Sequence, residues 1–98
     1  MIDAILAGRV FGEPEQRAGK AESAFVVAKV RAQAGDGEVY LVNVIAFDSQ
    51  VCQELLAARD GDAVSLVGSL TPKIWTDKQG NNRPVVDLIA YKIITNSQ

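Results

Sequence analysis

The sequence predicts an all-β domain with one short helix, its five strands closed into a small barrel. Three observations carry this reading. Five segments are rich in β-branched and aromatic residues, turns bearing glycine or proline separate them, and one intervening segment spaces its apolar residues at helical period. A chain of 98 residues fits one compact domain, taken as 1–98, with no room for a second. At 48% hydrophobic residues, it can build a core without disulfides or a metal.

The first strand is expected from Ile2 to Phe11, ending at the turn signal Gly12-Glu13-Pro14. Ala24 to Ala32 reads as the second and closes at Ala34-Gly35-Asp36-Gly37, whose Asp-Gly pair suits a tight hairpin. Glu38 to Phe47 follows as the third, with Val39, Tyr40, Val42, Val44 and Ile45 all favouring β structure. Asp48 or Ser49 can then cap a short helix that sets Val51, Cys52, Leu55 and Leu56 on one face, with Gly61 as its C-terminal stop. Val64 to Leu70 and Val85 to Ile94 complete the strands. Between these two, Lys73 to Thr76 and the residues near Arg83 can extend the pair into a long hairpin around the tip Asp77 to Asn82.

The order β-β-β-α-β-β is that of an OB-fold, in which the helix plugs the barrel between the third and fourth strands. Closure also removes the exposed edges that a small sheet would otherwise present. The strand count by itself fits an SH3-like or swapped meander as well.

Ten Lys and Arg against twelve Asp and Glu give a net charge of −2, which argues mildly against a general polyanion binder. The division along the chain is uneven. Residues 1–31 carry +1, residues 71–98 carry +2, and residues 32–70 carry −5, with Arg59 alone against Asp36, Glu38, Asp48, Glu54, Asp60 and Asp62. Such a chain can turn one face to a phosphate backbone and an acidic face to water or a partner.

Residue types exclude most catalytic chemistry. There is no histidine, the commonest general base, and the lone Cys52 reads as a small buried apolar residue in a reducing compartment. Neither a GxxxxGK[ST] nor a GxGxxG phosphate loop occurs. The acid pairs Asp60/Asp62 and Glu13/Glu15 sit in turn sequences, where such residues are ordinarily solvated. No enzyme activity, metal or cofactor is therefore expected. No apolar run approaches the ~20 residues of a membrane span, and Met1-Ile2-Asp3-Ala4 lacks the features of a signal peptide. A cytoplasmic location with no membrane partner is expected.

Several motifs are more specific. Gly8-Arg9-Val10-Phe11-Gly12-Glu13-Pro14-Glu15-Gln16-Arg17, then Gly19-Lys20 and Ala24-Phe25-Val26-Val27-Ala28, resembles the opening of bacterial single-stranded-DNA-binding proteins. Val42-Asn43-Val44-Ile45-Ala46-Phe47 is similar to that family's third strand, and Val67-Gly68-Ser69-Leu70 to its V-x-G-x-L strand. Trp75-Thr76-Asp77-Lys78-Gln79-Gly80-Asn81-Asn82-Arg83 resembles its W-x-D-x-x-G-x-x-R hairpin. The likeness covers nearly the whole chain in order. It implies a sequence-tolerant binder of single-stranded DNA, nucleoid-associated, acting in replication, recombination or repair. It also implies a homo-oligomer, a tetramer or dimer, with strand one at a contact where Ile2, Ile5 and Leu6 are available to bury.

Single strands are held by basic grooves and by aromatic side chains on which bases stack. Trp75, with Lys73, Lys78 and Arg83 nearby, has the chemistry for both tasks, or it packs the hairpin onto the barrel. Phe47 stands where the family places a stacking aromatic, although an aromatic at a strand end equally serves a core. Lys29 and Arg31 share one strand face, which the resemblance assigns to phosphate contact, and Arg9 shares the face of Phe11. RNA fits the same chemistry, because stacking platforms do not test for the 2′-OH.

The chain also departs from the family. Leu41 and Asn43 stand where relatives often carry a tryptophan and then an arginine, and Gln33 falls near the place of another aromatic, so weaker binding is expected. Val39, Leu41, Ile45 and Phe47 beside Val42 and Val44 leave strand three apolar on both faces, which asks for cover from stacked bases or an oligomer partner. The sequence stops at Ile94-Thr95-Asn96-Ser97-Gln98, before the flexible linker and acidic tip usual in the family, either as a natural short form or because such a tail was removed, so recruitment through that tip is not claimed. A second reading is an OB-fold docking accessory of the primosome or replisome, resembling primosomal replication protein N, whose −5 segment meets a basic partner. Replication and repair proteins are the expected class of partner.

Overall fold

The computed structural model describes residues 2–19 and 23–95, apart from the side chain of Arg83. Its elements are β1 (Ile2–Ala18), β2 (Ala24–Gln33), β3 (Val39–Ala46), α1 (Ser49–Ala57), β4 (Ala63–Thr76) and β5 (Asn82–Thr95). The strands close into a barrel in the order β1-β2-β3-β5-β4, with β4 returning to β1. Every neighbouring pair is antiparallel except β3 and β5, which run parallel. This is the five-stranded OB-fold, and the parallel seam sets it apart from a simple meander.

Strand alternation builds the core. Val26, Ala28, Val30 and Ala32 of β2 point inward with Val42, Val44 and Ala46 of β3, and they meet Val64 and Leu66 of β4 and Leu88, Ala90 and Ile93 of β5. The helix packs against β1, β2 and β5, contributing the buried Val51 and Leu55. The other residues expected on its inner face reach less far. Cys52 is half-buried with its thiol 3.2 Å from the Ala46 carbonyl oxygen, and Leu56 lies on the exposed margin. Strand three is resolved into an inner and an outer row. Val39, Leu41 and Phe47 are exposed and Ile45 is half-buried, so the outer apolar row is open.

Two boundaries differ from expectation. Gly12-Glu13-Pro14 does not end β1. It forms a bulge between Phe11 and Glu15, after which the strand resumes against β2 as far as Ala18. Gly12 takes φ 76°, a conformation that favours glycine, and its N–H donates to Asp60 Oδ1 at 2.7 Å. The Gly19-Lys20 turn falls partly outside the described residues, at Lys20. Gly61 does not cap the helix, which ends at Ala58 in extended geometry. Gly61 instead donates its N–H to Val10 O at 2.7 Å, extending the β1–β4 pairing into the turn. The hairpin of β4 and β5 is paired out to Thr76 and Asn82, as the sequence allowed.

The acidic middle of the chain is largely backbone chemistry. Asp48 caps the helix by accepting from the N–H groups of Gln50 and Val51. Asp36, Asp60 and Asp62 accept from the N–H groups of Glu38, Gly12 and Arg59. Glu54 accepts from the side chain of Gln50 one turn earlier.

Candidate nucleic-acid interface

The pairing registers align one outward row across all five strands. Phe11 of β1 lies opposite Lys29 of β2, Lys29 opposite Asn43 of β3, Asn43 opposite Asp87 of β5, and Asp87 opposite Thr71 of β4. A second row runs Val27, Ile45, Ile89 and Ser69. Together these rows floor an open groove of about 860 Å³, with Phe47 and the resumed arm of β1 among its walls.

Aromatic rings stand at separate places on this face. Phe11 is 43% exposed, and the Arg31 guanidinium carbon sits 4.7 Å from its ring centroid, a cation–π arrangement. Phe47 is 58% exposed and leans on Phe25, with centroids 6.0 Å apart and planes tilted by 46°. Trp75 does not line the groove. It is 56% exposed on the β4–β5 hairpin, two and four residues beyond the groove-lining Lys73 and Thr71, and alternation places it on their face. The hairpin is therefore not anchored by a buried indole.

The basic residues divide into engaged and available groups. Lys29 is exposed in the groove and makes no ion pair among the described residues. Arg31, on the same face of β2, is committed to Phe11. Lys73 Nζ lies 2.9 Å from Asp87 Oδ2, and Asn43 Nδ2 donates to Asp87 Oδ1 at 3.2 Å. The Lys73 hydrogen bond is the main cause that holds the Asp87 carboxyl below its ordinary 3.8, against burial, with help from Asn43. Arg9 turns aside to donate to Gly61 O at 2.9 Å. Lys78 is exposed in the hairpin turn, away from the groove lining. Arg83 pairs with Trp75 in register, and its side chain lies outside the described residues. The structure thus gathers Lys29, Phe47 and Lys73 around the groove, sets Arg31 beside it on Phe11, and carries Trp75 and Lys78 on the hairpin.

Two groove residues escape a reading by composition and motif. Phe11 reads in the sequence as the last residue of strand one, yet its pairing with Lys29 puts it at the groove edge. Asp87 looks like an ordinary polar interruption in β5, and only the β3–β5 register shows that it stands between Asn43 and Thr71. No group of three His, Cys, Asp or Glu able to hold a metal occurs among the described residues.

The expected contact residues separate as well. Ile5 is 79% exposed and Ile2 50%, whereas Leu6 turns inward and packs against the core. Alternation turns Leu6 toward the core while its neighbour Ile5 takes the outer face. Ile5 lies opposite Val67, in a surface that also exposes Tyr91 and Ile94.

The sequence pattern of the Single-strand binding protein family matches residues 1–95. The chain belongs to that family. Its fold is shared with solved members and neighbours at low identity. A small single-stranded DNA-binding protein from Streptomyces coelicolor superposes with a TM-score of 0.79 at 20% identity, covering 97% of this chain and 94% of that one. A mitochondrial single-stranded DNA binding protein from S. cerevisiae gives 0.70 at 15%, covering 100% and 99%. The Plasmodium falciparum single-strand binding protein, solved in complex with ssDNA, gives 0.70 at 15%, covering 99% and 96%. No curated protein sequence matches the chain. Within the family frame, the bulged β1, the five-strand groove and the long β4–β5 hairpin are the parts that this chain fills with its own residues.

Proposed function

We propose that this chain binds single-stranded DNA through the groove floored by all five strands, holding the strand by base stacking and phosphate contacts, with no reaction catalysed. One observation carries the reading. Exposed rings at Phe11 and Phe47 flank a groove in which Lys29 has no counterion among the described residues. Family membership supports it. Bases stack on Phe11 and Phe47, Lys29 meets the backbone, and Trp75 on the hairpin takes a further base as the strand leaves the groove. A role in replication, recombination or repair follows from such binding, in a cytoplasmic, nucleoid-associated setting.

The test is a titration with an oligo-dT strand, read by Trp75 fluorescence and by anisotropy of a labelled strand in the same samples. Saturable binding that salt weakens and duplex DNA does not compete away is expected. No anisotropy change at low salt would remove the proposal. Trp75→Ala should lose about 1–3 kcal/mol of affinity with the fold intact; an unchanged affinity would take Trp75 out of the strand's path.

The basic residues should differ in their salt signature. Lys29→Gln is expected to lower the log–log salt slope by roughly 0.7, one phosphate contact on a single strand. Lys73→Gln should lower it less, because Asp87 already serves as counterion to Lys73. Equal slopes for the two variants would show that the ion pair opens fully on binding.

We further infer self-association through the outer surface of β1, with Ile5, Val67 and Ile94 as its apolar residues and a tetramer or dimer as the product. Light scattering at micromolar concentration should give a multiple of the 10.5 kDa protomer mass. Ile5→Asp should return it to the protomer, and a wild-type chain that is already monomeric would sink this inference. The docking-accessory reading has less support, because Asp36, Asp48, Asp60 and Asp62 are occupied with backbone N–H groups.

A further inference from the structure

A phosphate-binding groove gains nothing from a carboxylate on its floor, yet Asp87 stands there between Asn43 and Thr71. Its side chain is 32% exposed, so it is reachable from the groove. A carboxylate offers about four lone-pair positions. Lys73 occupies one on Oδ2 and Asn43 one on Oδ1, leaving each oxygen a further acceptor position. The Lys73 ammonium likewise carries three N–H donors, of which this pair uses one. The floor therefore presents a charged acceptor beside a charged donor, both oriented by an ion pair.

Such a pair repels phosphate from the acceptor side and recognises a base edge that places an N–H donor next to an acceptor. We propose that Asp87 and Lys73 read base edges, so that the groove favours bases carrying an exocyclic amine, cytosine among them, over uracil and thymine. Asp87 accepts from the 4-amino group of cytosine while Lys73 donates to the ring N3 or O2. Uracil and thymine offer one N–H set between two carbonyl oxygens, and a carboxylate approaching it meets an oxygen on either side. Acceptance from the cytosine amine by Asp or Glu is an established direct-readout pairing. Asn43 holds the carboxylate from the opposite side, which fixes the direction of the remaining lone pairs. The inference rests on the single-strand-binding reading and adds a base preference to it.

The deciding experiment compares labelled oligo-dC and oligo-dU strands of one length by anisotropy, at moderate salt and mildly alkaline pH. These bases differ only along the edge in question. Wild-type protein is expected to bind dC more tightly by about five-fold or more, the lower end for a good base-edge contact. Asp87→Asn should bring the two strands to within about two-fold, because an amide donates and accepts by turning over, and should tighten dU binding by releasing Lys73. Equal wild-type affinities would overturn the base preference while leaving strand binding in place, and so would a dC preference that persists undiminished in Asp87→Asn. If neither strand binds at low salt, the single-strand reading and this inference fall together. The wild-type comparison decides the matter even if the variant folds poorly.

Discussion

Gly68→Ala is expected to destabilise the barrel by about 3 kcal/mol, the upper end of ordinary overpacking penalties. A Cβ on Gly68 would be driven into the carbonyl of Ile89, and that obstacle is backbone rather than a movable side chain. The crowding arises from the register. Val67 faces Lys92 and Gly68 faces Ala90, so Tyr91 is an extra, bulged residue where the β5 backbone comes close to Gly68. Urea unfolding should show a lower midpoint at unchanged slope. A loss below about 1 kcal/mol would mean that the bulge can retreat at little cost. The effect should also reach the groove, since Ile89 lies on its floor beside the displaced carbonyl.

Replacing both Phe11 and Phe47 by alanine should remove most single-strand affinity, about 1–3 kcal/mol for each stacked base. The two rings have different neighbours, Arg31 for Phe11 and Phe25 for Phe47, so their losses should add. Phe11→Ala also frees Arg31 from its ring, which offsets part of the loss if the guanidinium then meets phosphate. Phe11→Leu keeps an apolar wall without a stacking face and separates the two effects. Both substitutions lie at exposed positions, so urea midpoints should stay near wild type. Affinity within about two-fold of wild type for the double variant would move the strand's path away from the groove.

The strands were legible because runs of β-branched and aromatic residues are bounded by turn residues, and in β2 Val26, Ala28, Val30 and Ala32 against Lys29 and Arg31 show which face is inside. The helix was legible from Asp48 and the spacing of Val51 and Leu55. Gly12-Glu13-Pro14 misled because a bulge and a turn use the same residues. What decides between them is whether the next segment finds its partner again, and here Glu15 to Ala18 pair with Ala24 to Val27. Gly61 misled for a related reason, its positive φ serving a strand-entry turn rather than a helix end. Among the residues that line the groove, Lys29, Phe47 and Lys73 were singled out by type and motif. Asp87 and Phe11 did not, because their meaning lies in cross-strand neighbours distant in sequence, and the ion pair that engages Lys73 is invisible until β4 and β5 are in register.

The parallel seam between β3 and β5 has a consequence for how the molecule is made. The fifth strand is the one that touches both β3 and β4, so the barrel stays open until β5 has been made. Before that moment β3 and β4 each expose an unpaired edge, the kind that recruits strands from other chains. Closure depends on contacts far apart in sequence, which places folding on the slow, millisecond-to-second side for a domain of this size. A nascent chain halted before β5 is therefore an aggregation hazard, and the arrival of Asn82–Thr95 ends the hazard and completes the groove in one step.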